Sequence, residues 1–111
     1  MEPTTLAEKV RLGLRRSQVL LGHERFEKLA RRGLAGLVWA TEDLSPHASG
    51  KLAILCARHG VPFLQCGKTD ELGAITGAHT TKVYVLKKSF AGLKYLLLEL
   101  RRTGQIEEGE K

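Results

Sequence analysis

Four short apolar runs, QVLL (18–21), GLVWAT (36–41), VPFLQC (61–66) and KVYVLK (82–87), recur between longer stretches whose apolar residues repeat with helical spacing. Runs this short suit strands buried on both faces, and strands that alternate with helices imply a largely parallel or mixed sheet covered on both sides. The predicted class is therefore α/β: a three-layer α/β/α sandwich with a four-stranded mixed sheet. At 111 residues, one such domain buries roughly two thirds of its unfolded surface and needs no staple.

Local signals place the helices. Thr5 and Glu8 have the spacing of a capping box, which predicts a first helix over about 5–16. GHERFEKLARRG (22–33) reads as a second helix held between two glycines, with Phe26, Leu29 and Ala30 forming its buried face. Ser45-Pro46 serves as cap and first turn of a third helix running to His59, with Gly60 as its left-handed stop. Thr69 is expected to cap a short fourth helix, and Ser89 to start a last one through about Arg102. The expected organisation is a single domain over 1–102 followed by an acidic flexible tail, TGQIEEGEK, at 103–111. Trp39, inside an apolar run, reads as core.

Charge points to a partner. The chain carries a net charge of +6, and all of that excess falls between Lys9 and Arg32, where eight basic residues face only Glu24 and Glu27. A one-sided positive field is the footprint of a polyanion, because each Lys or Arg that neutralises a phosphate releases condensed counterions. Within the second helix Arg25, Lys28 and Arg32 fall at i, i+3 and i+7 and line one flank. A charge stripe is ordinarily a solvated face; the surrounding charge favours nucleic acid here. The first backbone N–H groups, near Gly22, His23 and Glu24, lack intrahelical partners and can hold a phosphate, while Gly22 allows close backbone approach.

Other chemistries find little support. No apolar run is long enough to span a bilayer, and MEPTTLAEKV lacks the order of a signal peptide, so no membrane partner and a cytoplasmic location are expected. Cys56 and Cys66 form no CxxC pair, and His23, His47, His59 and His79 are scattered, so neither metal nor other cofactor is expected and both thiols should be reduced. His59 has a structural role available as a cation at a helix C-terminus. Glu42 and Asp43 are adjacent carboxylates, but no histidine, nucleophile or ligand joins them in a motif, so no enzyme is predicted. Aromatics make up 5% of residues, too few for a single-strand binder built on stacking.

The series Gly22-x-x-x-x-x-Lys28, Arg31-Arg32-Gly33-Leu-Ala-Gly-Leu-Val, Thr41-Glu42-Asp43-Leu-Ser-Pro46, Cys56-x-x-x-Gly60-Val-Pro62 and Glu71-Leu72-Gly73-x-x-x-Gly77 resembles the kink-turn-binding ribosomal protein family, the "L-seven-Ae" type, and its small stand-alone bacterial members most. The match covers about residues 6–100 and rests on several weak motifs in the right order. The resemblance implies an α/β/α fold that grips a sharply bent RNA internal loop with the start of the second helix and two neighbouring loops. Gly22, Lys28 and Arg32 match the family's RNA-contacting pattern, and Glu42 and Asp43 match its acidic turn after the second strand. Glu24 and Arg25 stand where the best-known members have Asn and then Glu. His79, Thr80 and Thr81 replace a loop that is often apolar in the family, and they can hydrogen-bond to sugar or phosphate.

The expectation is thus a monomeric protein that binds structured, kink-turn-like RNA, ribosomal RNA included, within a ribosome or other ribonucleoprotein. Two rivals stay open: a protein-interaction module of the same fold, whose sign would be an exposed apolar patch around Leu96 to Leu100, and the substrate-recognition half of an RNA-modifying enzyme.

Overall fold

The structure, a computed structural model, describes residues 1–107. Helices and strands alternate as α1 (Pro3–Arg15), β1 (Val19–Leu21), α2 (His23–Arg31), β2 (Ala35–Ala40), α3 (Pro46–His59), β3 (Phe63–Gln65), α4 (Thr69–Thr76), β4 (Val83–Lys87) and α5 (Leu93–Arg102). The sheet order is β1-β4-β2-β3. β4 runs antiparallel to both β1 and β2, and β3 is parallel to β2, so the sheet is mixed, as predicted.

Period-two alternation along the central strands separates two cores. Leu37, Trp39, Tyr84 and Leu86 point to one face, where Leu6 and Val10 of α1, Leu72 of α4, and Leu96 and Leu100 of α5 cover them. Val38, Ala40, Val83 and Val85 point to the other face and meet Phe26 and Leu29 of α2 with Leu52 and Cys56 of α3. Trp39 is fully buried, stacks on Tyr84 with ring centroids 5.1 Å apart, and donates its indole N–H to the Cys66 carbonyl at 3.0 Å.

Several boundaries differ from expectation, each for a nameable reason. α1 begins at Pro3 behind Glu2, not at a Thr5 capping box; proline at the first helical position has no N–H to leave unsatisfied. α4 is preceded by Lys68, because the Thr69 hydroxyl turns away from its own helix toward Asp43. α5 starts at Leu93 and not at Ser89: Phe90 is buried and Gly92 adopts a left-handed conformation that interrupts the helical path. Ser45 does cap α3, accepting the Ala48 N–H at 3.2 Å, and Gly60 closes it left-handed. Part of the segment expected as a tail, 103–107, is described and packs against the domain. Ile106 is buried in the core, and Gln105 Nε2 donates to the Met1 carbonyl at 3.1 Å. The rest of that segment, 108–111, lies outside the described residues.

Candidate RNA interface

Because β1, β2 and β3 run the same way and β4 runs against them, one end of the sheet gathers the C-terminal ends of the first three and the N-terminal end of the fourth. The start of α2 and the segments 41–45, 66–68 and 77–82 therefore converge there. This geometry brings together Gly22, His23, Glu24, Arg25, Glu42, Asp43, His79, Thr80 and Thr81, with Lys28 one turn further along α2. Arg32 is not part of the cluster. It is the C-cap of α2, about 15 Å along the axis from Gly22 at 1.5 Å per residue.

Gly22 joins β1 to α2 with φ 100° and ψ 158°, a region only glycine adopts readily, and the space a Cβ would take is open. Its N–H is committed to the Val83 carbonyl at 3.0 Å, so the free donors of the helix start are those of His23, Glu24 and Arg25, with no capping side chain. His23 Nε2 lies 3.0 Å from Glu27 Oε2, and Arg31 lies 4.0 Å from the other oxygen of the same carboxylate. Among the described residues no ion pair involves Arg25 or Lys28, and both are exposed.

The acidic turn is tied into the fold. Glu42 Oε2 accepts the Gly67 N–H at 3.0 Å, clamping the segment before α4. Thr69 donates its hydroxyl to Asp43 Oδ1 at 2.7 Å, and Lys82 Nζ stands 3.6 Å from Asp43 Oδ2 and 3.3 Å from Thr69 Oγ1. The hydroxyls of Thr41 and then Thr69, with the Lys82 ammonium adding less, hold the Asp43 carboxyl well below the usual carboxylate range. Lys82 and Thr69 were invisible as a site in the sequence; the one available sign was Lys82 following directly on His79-Thr80-Thr81.

The 77–82 loop is pressed against α4 at Gly73, where an added Cβ would fall 2.7 Å from the His79 Cα, so glycine is required for this close approach. Thr81 N–H closes the turn onto the Ala78 carbonyl at 3.1 Å, leaving His79 and Thr80 exposed at its tip. Burial pushes the Cys56 thiol up to about 12 and raises that of Cys66, so both stay protonated at neutral pH. Among the described residues no group of three or more His, Cys, Asp or Glu side chains could hold a metal ion, and no helix is long and apolar enough to cross a membrane.

Fold and site together define a small three-layer α/β/α protein that presents an uncapped helix start among loops at one sheet end. The chain belongs to the ribosomal protein L7Ae/L30e/S12e/Gadd45 family, whose model matches residues 4–96. Among solved structures it is similar to a protein with unknown function from Bacillus halodurans C, at 29% identity and TM-score 0.74 over 85% of this chain and 93% of that one. It is also similar to a 15.5 kD RNA binding protein of Giardia lamblia, at 24% identity and TM-score 0.74 over 93% of this chain and 88% of that one; at that identity the likeness shows the fold alone. A search of curated protein sequences returned no match.

Proposed function

We propose that this protein binds structured RNA of the kink-turn kind through the start of α2 and the loops beside it, as a cytoplasmic component of the ribosome or another ribonucleoprotein. The observation that carries the reading is the convergence of three uncapped N–H groups, the open Gly22 backbone and the unpaired cations Arg25 and Lys28 at one sheet end. Membership of the family supports it. Binding, not catalysis, suits Glu42 and Asp43, since their oxygens are engaged by Gly67, Thr69 and Lys82.

Titration of a minimal kink-turn hairpin over a range of salt tests the site. Arg25→Ala and Lys28→Ala should each flatten the log–log salt slope by about 0.7–0.9 per lost phosphate contact. Neutralising Lys87 and Lys88 should do less on this probe. Equal loss from both sets would remove α2 as the site.

A second reading, a protein-interaction module, has its own observation on α5. Leu96 and Leu100 are buried, yet Tyr95 and Leu98 are exposed at 73% and 53% beside a groove lined by Leu93, Leu97 and Arg101. Tyr95→Ala with Leu98→Ala leaves hairpin binding intact if α5 serves a protein partner.

A further inference from the structure

The excess positive charge of the chain does not sit where α2 begins. At that end the segments 22–25, 41–45, 66–71 and 77–82 hold three Lys or Arg against five Asp or Glu. The opposite end gathers the N-terminal ends of β1, β2 and β3, the C-terminal end of β4, and therefore the C-terminal ends of α1, α2 and α3. Its segments 15–18, 31–34, 58–62 and 87–92 hold seven Lys or Arg and no acidic residue. Backbone bonds fix them side by side: Lys87 N–H donates to the Gln18 carbonyl at 2.9 Å, and Lys88 N–H to the Leu34 carbonyl at 2.9 Å. In sheet order the cations form a row, Arg15 and Arg16, then Lys87 and Lys88, then Arg32, then Arg58, across four strands spaced about 4.8 Å apart. Among the described residues none of these six takes part in an ion pair, and Arg31 alone at this end approaches a carboxylate, that of Glu27.

We propose that this acid-free end is a second RNA-contacting surface, which holds the phosphate backbone of a duplex segment while the α2 end holds the bent loop. The identity of the polyanion rests on the RNA reading above; the charge row does not. Cations in a last helical turn also offset the carbonyl end of the helix dipole, which accounts for Arg15 and Arg58. It does not account for Lys87 at a strand end or Lys88 in a turn. Four of the six are arginines, whose planar fork suits phosphate oxygens. The molecule measures 36 × 30 × 26 Å, several times the screening length of about 8 Å at physiological salt, so each end must make its own contacts.

The test compares two probes, the minimal kink-turn hairpin and a mixed-sequence RNA duplex without a kink turn. The variant Arg15→Gln, Arg16→Gln, Lys87→Gln, Lys88→Gln is expected to lose at least about tenfold in duplex affinity. Its salt slope should flatten by roughly 0.7–0.9 for each contact removed, with hairpin affinity held within about twofold. Lys87→Gln with Lys88→Gln, which touches no helix end, should give about half that slope change and covers the case in which the fourfold variant fails to fold. Unchanged duplex binding, or an equal fall on both probes, overturns the proposal. So does a variant that loses binding to phosphatidylserine vesicles but not to duplex. If Arg25→Ala and Lys28→Ala leave the hairpin untouched while the basic-end variants still lose the duplex, the α2 site fails and this surface stands.

Discussion

Glu42 and Gly67, 25 residues apart, hold each other at both backbone and side chain: the Glu42 N–H donates to the Gly67 carbonyl at 2.7 Å, and Glu42 Oε2 accepts the Gly67 N–H at 3.0 Å. The pair fastens the loop after β2 to the loop before α4, and so sets the shape of the end of the sheet on which α2 begins. Glu42→Ala is expected to lower unfolding free energy by about 1–2 kcal/mol, with Glu42→Gln keeping part of it, as measured by urea denaturation.

Asp43 should make stability fall on the acid side. Its carboxyl titrates below the ordinary value when folded, so the stability it contributes is fully present above the unfolded pKa and is lost as pH falls through the folded one. Thermal melts of the natural protein and Asp43→Asn should differ most at neutral pH and converge as pH drops below the usual carboxylate range. A gap that widens in acid would reverse the sign and dismiss the network as its cause.

Gly22→Ala is expected to cost about 1–3 kcal/mol, because φ 100° with ψ 158° is strained for any residue with a Cβ. The added methyl meets no atom of the protein, so the loss is conformational. Hairpin affinity per folded molecule should also fall, since the methyl projects into the space proposed for RNA backbone; chemical denaturation and a binding titration separate the two effects.

Glu24 and Arg25 are both exposed at the helix start. An arginine has donors only and cannot accept the N–H groups that guanine presents, although it can meet guanine O6 and N7 or a phosphate. The natural protein is expected to prefer a standard kink turn over its G·A-disrupted mutant by less than about tenfold, under ~1.4 kcal/mol. Glu24→Asn with Arg25→Glu should increase that preference. Strong discrimination by the natural protein that the double change abolishes would show that these two residues read the motif themselves.

Cys56 packs in the α2–α3 core, so Cys56→Ala should destabilise by roughly 1–2 kcal/mol and leave RNA affinity per folded molecule unchanged. Native mass spectrometry of the natural protein should show the mass of the bare chain; a bound metal would contradict the inert-thiol reading.

Much of the fold was readable because its signals are local. A buried apolar run, a Ser-Pro helix start and a glycine stop each act within a few residues, and β2, β4, α2 and α3 came out close to where they lie. Boundaries slipped where a distant partner overruled the local signal, as when Asp43 drew the Thr69 hydroxyl out of its capping role.

The sequence by itself determined the order of elements, the two glycine-bounded ends of α2 and the family to which the chain belongs. Only the tertiary structure decided which charges share a surface. The basic stretch from Lys9 to Arg32 looked like one field, yet α1 and α2 cover opposite faces of the sheet, and Arg32 joins Lys88, far along the chain, and not the helix start. Helical and strand periods say which side of an element is buried; they carry nothing about which face of the sheet it covers or which strand ends meet. Those follow from strand pairing between segments tens of residues apart, which no local pattern encodes.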